Sequence, residues 1–156
     1  MPRMMALALL SNYAQGNYQQ VINSMYEIDH DMLRDSERDD VIMAYAFAMI
    51  QEERYEEAIV QFDILKMISD RYDNEATFYT AYANYVFGRY DLAQEGFEQV
   101  VNIPAFNHQT RYYLAETALA IGEYQEAEAI ATQYLDEMPN DTLRLEMKRI
   151  QGEALY

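Results

Sequence analysis

The sequence predicts an all-α chain, an α-solenoid of stacked antiparallel helix pairs, and three observations carry that reading. A short motif recurs four times, its flanks repeat apolar residues at three- and four-residue steps, and turn-forming residues close each flank. The motif reads Gly16-Asn17-Tyr18-Gln19-Gln20-Val21, then Glu53-Arg54-Tyr55-Glu56-Glu57-Ala58. It returns as Gly88-Arg89-Tyr90-Asp91-Leu92-Ala93 and as Gly122-Glu123-Tyr124-Gln125-Glu126-Ala127. Its tyrosines, Tyr18, Tyr55, Tyr90 and Tyr124, stand 37, 35 and 34 residues apart.

Each copy marks the turn of one helix–turn–helix unit, with approximate bounds 2–36, 37–73, 74–107 and 108–141, followed by a terminal helix over 142–156. The first helix of the first unit is apolar from Met4 to Leu10, far short of the roughly 20 residues that span a bilayer. Arg3 precedes it, but no A-x-A-like cleavage site follows, so the segment reads as a helix of the fold rather than a leader. A Gly at the turn, or Glu53 in its place, suits the left-handed backbone that ends a helix. The small residues Ala58, Ala93 and Ala127 let the second helix approach the first, and the motif Tyr plugs the crevice between them. Met25, Phe62 and Phe97, later in the second helix, reach toward the next unit. Ala131 holds that place in the fourth unit and is expected to be a weak point.

The junctions are read in the same way. His30 to Asp39 is long and charged, which accounts for the 37-residue spacing. The others are Arg71-Tyr72-Asp73-Asn74, Ile103-Pro104-Ala105-Phe106-Asn107 and Met138-Pro139-Asn140-Asp141, where Pro stops a helix and Asn or Asp caps the next. Gly152-Glu153-Ala154-Leu155 echoes Ala115-Glu116-Thr117-Ala118, as if a fifth unit began. With Met4, Met5, Leu7, Leu9 and Leu10 so apolar in the first helix, two expectations follow. The chain is an excerpt of a longer repeat protein, or it self-associates through exposed terminal helices. Arg144, Lys148 and Arg149 are expected to turn a charged face of the last helix outward.

These residues resemble the tetratricopeptide repeat (TPR) family. The fourth unit matches best, with Gly122, Tyr124, Ala127, Tyr134 and Pro139 at the family's spacing. The third has Pro104 displaced by one, the second lacks the turn Gly and the closing Pro, and the first has Val21 where Ala is usual. The resemblance covers roughly residues 2 to 156 and implies a right-handed superhelix. Pentatricopeptide repeats share the period but bind RNA, which the charge opposes; Sel1-like repeats need more glycine than the five present.

Composition narrows the partners. The 27 acidic residues outnumber 11 basic ones, a net charge of −16 that disfavours nucleic acid and anionic membranes. The balance is −2 over residues 1–36, −6 over 37–73, −3 over 74–107, −6 over 108–141 and +1 over 142–156. Cysteine is absent, which excludes disulfides and thiolate chemistry. No phosphate loop, hydrolase elbow or zinc motif is present, so an enzyme and a cofactor are not expected. His30 and His108 read as turn or cap residues. Asp29-His30-Asp31 with Asp35, Glu37, Asp39 and Asp40 reads as a solvated junction, since the EF-hand pattern is missing.

What remains is a binding surface. The resemblance implies that first helices line a groove for an extended peptide or a partner's helix. By register that face holds Met43, Phe47 and Ile50, then Phe78, Tyr79, Tyr82 and Tyr85, then Tyr112, Tyr113, Glu116 and Leu119. Tyr suits recognition because it offers large contact area at low entropy cost. The face carries Asp40, Glu75 and Glu116 with little positive charge beyond Arg111, so a basic or apolar segment fits better than an acidic tail. The expectation is a non-enzymatic interaction scaffold with a tyrosine-rich groove. The alternatives are a structural array segment of a larger, for instance bacterial envelope, assembly and a sensor of a short signalling peptide. The compartment stays open between cytoplasm and, after removal of a leader, a bacterial periplasm.

Overall fold

The computed structural model describes residues 2–156, and among them only helices and the turns joining them occur. The helices are α1 (Pro2–Ala14), α2 (Tyr18–Met25), α3 (Asp35–Gln51), α4 (Tyr55–Ile68), α5 (Asp73–Val86), α6 (Tyr90–Val100), α7 (Asn107–Ala120), α8 (Tyr124–Tyr134) and α9 (Asp141–Leu155). Short 3-10 turns, His30–Met32 and Leu135–Glu137, precede α3 and α9. No helix among the described residues is long and apolar enough to cross a membrane.

The four motif turns share one backbone solution. Gly16, Gly88 and Gly122 have φ of 76°, 76° and 85°, and Glu53 is the only non-glycine described residue with positive φ, at 60°. The residue after each reaches back across the turn: Asn17 N–H donates to Asn12 O at 2.9 Å, and Arg54 to Met49 O at 2.8 Å. Arg89 donates to Asn84 O at 2.8 Å and Glu123 to Ala118 O at 2.8 Å. With the three-residue-span bonds of Gly16, Glu53, Gly88 and Gly122 N–H onto Tyr13, Ile50, Tyr85 and Leu119 O, these are Schellman closures. They satisfy carbonyls that the helix end would orphan. The next helix begins at once, because Ala58, Ala93 and Ala127 N–H donate to Arg54, Arg89 and Glu123 O, each at 3.0 Å.

The contacts divide the chain within α5 into two compact units, Met1–Ala83 and Asn84–Tyr156. In the first, α1 packs on α2 and α3, α2 on α3, and α3 on α4. Its core holds Leu9, Val21, Val41, Met49, Phe62 and Leu65, all essentially buried. In the second, α7 packs on α6, α8 and α9, and α8 on α9. The small residues Ala58, Ala93 and Ala127 are fully buried, as are the plugs Phe62 and Phe97.

One expectation is qualified and one corrected. Ala131 leaves no exposed gap at the place of the plug: it is fully buried in one cluster with Met138, Met147 and Ile150, larger side chains that pack around it. Tyr124 is no crevice plug, being 54% exposed. Tyr18 finds the rings of Tyr13 and Phe47, Tyr55 that of Tyr82 and Tyr90 that of Tyr85. The helix that follows Tyr124, α9, has no aromatic residue to receive it. The cap read at Asn140 is made, its side chain accepting from Leu143 N–H at 2.9 Å. On α1, Met4 and Leu7 are exposed.

Candidate functional site

The first-helix register places residues three and six before the turn on one side of each helix. In Met1–Ala83 three of these positions, Leu10, Tyr13 and Phe47, border a cavity of about 390 Å³. It is lined by Leu10 and Tyr13 of α1, by Asp40, Met43, Ala44 and Phe47 of α3, by Arg71 and Tyr72 of the junction, and by Glu75 and Tyr79 of α5. Phe47 is its hub. Tyr13 stands 5.6 Å from it at 86° and Tyr79 5.1 Å at 81°, so both rings rise nearly perpendicular to the phenyl group. Tyr79 is held from behind by Phe62, stacked at 5.9 Å. Edge-to-face contacts of this kind fix ring orientation and contribute about 0.5–1.5 kcal/mol each beyond buried area.

The rim is polar. Asp40 accepts a short hydrogen bond from the Tyr72 hydroxyl, and Arg71 Nη1 lies 2.8 Å from the same carboxylate. Arg71 also donates to Ser36 O at 3.1 Å and lies over the Tyr72 ring. Burial, followed by the bond to Asp40, pushes the Tyr72 hydroxyl up to about 12. Burial raises Tyr79 as well, with Tyr13 and Glu75 adding to it. Glu75 is half-buried and makes no ion pair among the described residues.

The corresponding residues of Asn84–Tyr156 are engaged with one another. Tyr112 donates to Glu116 at 2.9 Å, and Arg149 pairs closely with the same carboxylate. Arg149 also meets Glu146 at 2.9 Å and Glu153 at 3.0 Å, so the charge expected on an outward face is tied to three carboxylates, one of them on α7. Arg111 pairs with Glu137 at 3.0 Å and lies 4.0 Å from the centre of the Tyr134 ring. Tyr113 stacks on Phe97 at 5.4 Å. Near the last turn, a depression of about 690 Å³ is lined by Gln94, Glu98, Gly122, Glu123, Tyr124, Gln125 and Glu126.

Of the face read from the sequence, the cavity gathers Met43, Phe47 and Tyr79. Phe78 and Ile50 are buried, Tyr82 packs on Tyr55, and Tyr85 lies against Tyr90 and Tyr113. Leu10 and Tyr13 were missed, although they occupy in the first unit the register that Phe47 and Ile50 occupy in the second. Arg71 and Tyr72 were read only as junction residues. His30 lies in a 3-10 turn capped by Asp29, and His108 in the first turn of α7. No group of three or more His, Asp or Glu among the described residues is placed to hold a metal ion.

A family model described as anaphase-promoting complex, cyclosome, subunit 3 matches residues 51–133, more than half of the chain. Two crystal structures of nearly identical TPR-like repeats from Podosopora anserina, in a protein described as a kinesin light chain, are similar to this chain. They superpose with TM-scores of 0.71 and 0.72, at 19% identity, over 97% of this chain and 84% of theirs. At that identity the likeness is one of fold. No curated protein matches the chain. The four Schellman-closed helix pairs, the similarity to TPR-like repeats and the matched family agree: the chain is an α-solenoid of the tetratricopeptide type and belongs to the anaphase-promoting complex subunit 3 family.

Proposed function

We propose that this chain is a non-enzymatic scaffold that holds a peptide or a helix of a partner protein on its first-helix faces, with the cleft around Phe47 as the principal contact. The coarser half of this reading is a property of the fold and family, which are those of protein-interaction scaffolds, typically without catalysis. The observation that supports the rest is the cavity whose aromatic walls are fixed by one another. A site of a few hundred Å³ with apolar walls and a few convergent polar groups is the usual form of a binding pocket. Its walls are preorganised, so binding loses little side-chain entropy. The rim carboxylates favour a basic or apolar segment over an acidic one.

A second reading, a structural array segment without a free peptide ligand, has one observation in its favour. Val60, Ile64, Met67 and Ile68 of α4 are exposed at helical spacing, an apolar stripe that packing in a larger assembly would cover. Selection of a displayed random dodecapeptide library on the full chain separates the two. The scaffold reading expects enriched peptides whose binding drops at least tenfold in Tyr13→Ala, with helicity and melting temperature checked by circular dichroism. No enrichment, or enriched peptides that ignore Tyr13→Ala, would overturn the cleft and favour the array.

A further inference from the structure

We propose that the cleft of Met1–Ala83 selects a lysine or arginine side chain of the bound peptide, with its aliphatic stem against Tyr13, Phe47 and Tyr79 and its charge facing Glu75. This rests on the peptide-binding reading above and adds the chemistry of one position in the peptide.

Three charged groups border the cavity: Asp40, Arg71 and Glu75. Asp40 already has its counter-charge in Arg71, and the same oxygen, Oδ1, accepts from the Tyr72 hydroxyl. Arg71 is correspondingly spent on Asp40, on the Ser36 carbonyl and on the Tyr72 ring. Glu75 is the carboxylate left over, half-buried and without an ion pair among the described residues. Its field reaches the walls, since it raises the hydroxyls of both Tyr72 and Tyr79. The lining therefore carries one negative charge that no positive group of its own offsets.

Each kind of occupant can be weighed against that deficit. An acidic side chain would place like charges side by side at a half-buried carboxylate, which is repulsive. A purely apolar one would desolvate Glu75 without a counter-charge, and an uncompensated buried carboxylate costs several kcal/mol in the limit of full burial. A lysine or arginine avoids both costs. Its methylene stem covers ring surface, as such stems do on apolar ground, and its head keeps contact with the carboxylate and the rim water. The rings add a cation–π attraction, for which Tyr and Phe are suitable faces. The chain's charge of −16 further draws a basic segment toward it.

The test uses peptides selected on the full chain from the dodecapeptide library. Lysine or arginine is expected at one fixed position of the enriched peptides. Replacing that residue by glutamine should weaken binding about tenfold, as should Glu75→Gln with the original peptide. The two changes together should be no worse than either alone, the signature of a direct pair. Glu123→Gln, in the other unit, should leave affinity within twofold. Enriched peptides without a fixed basic position, or additive losses in the double change, would overturn this inference while peptide binding itself stood. Failure to enrich any peptide would overturn both.

Discussion

Met1–Ala83 and Asn84–Tyr156 are built from the same turn and the same buried small residue, yet their first-helix faces end differently. In the first, Phe47, Tyr13 and Tyr79 border open space and Glu75 keeps a charge in reserve. In the second, Arg149 of α9 reaches Glu116 of α7, and Tyr112 completes the group. The cores differ at the last repeat. Phe62 in the first and Phe97 in the second are single large plugs, whereas around Ala131, in the last repeat of the second, the buried cluster holds Met138, Met147 and Ile150. A common turn thus sets the frame, while side-chain volume and one arginine decide whether a face is open or engaged.

The largest expected effect is on the plugs. Phe62→Ala should cost about 3–5 kcal/mol and Met147→Ala about 2–5 kcal/mol in urea unfolding, because both side chains are fully buried. A loss under about 1 kcal/mol for Met147→Ala would show that the cluster around Ala131 is not packed as described. Next is the turn: Gly122→Ala must hold a Cβ at φ 85° and should cost about 1–2 kcal/mol. Arg149→Met should cost about 1 kcal/mol at low salt, since its charge is only partly shielded from water. That cost should shrink at about 1 M salt, where screening acts within about 3 Å. Equal costs at both salt levels would mean that the Arg149 stem, not its charge, does the holding.

Smaller again is the inverse change. Glu53→Gly should stabilise by about 0.5–1 kcal/mol, the left-handed strain relieved less the extra entropy of an unfolded glycine. The last prediction concerns pH. Tyr72 is pushed up to about 12 by burial and Asp40, and Tyr45 to about 12 by burial and Tyr26. Unfolded tyrosines lose their protons near pH 10, so between about 10 and 12 the folded chain binds more protons than the unfolded. Their contribution is complete below about pH 10 and is lost as pH rises toward 12. Urea midpoints across that range should fall, and Tyr72→Phe should flatten the decline.

Much of this was legible in the sequence because repetition averages out local ambiguity. Four copies of one motif fixed the turns, and even Glu53 was placed at a left-handed position by the glycines of its three counterparts. Register also put Met43, Phe47 and Tyr79 on one side, and these three line one cavity. Tyr13 was visible by the same register, one unit earlier. What could not be read was pairing between distant residues: that Arg149 would bond Glu116, 33 positions away, or that Arg71 and Tyr72 would claim Asp40. The fate of Tyr124 depends likewise on what its neighbouring helix offers, and α9 offers no ring.

The central claim is that the open aromatic cleft, not the engaged face around Glu116, receives the partner. Amide chemical-shift mapping of the isotopically labelled full chain with a selected dodecapeptide tests it directly. The account expects the largest shifts at Leu10, Tyr13, Phe47, Glu75 and Tyr79, with Tyr112, Glu116 and Arg149 nearly unmoved. Shifts centred on Tyr112, Tyr113 and Glu116, with the residues around Phe47 unchanged, would contradict it.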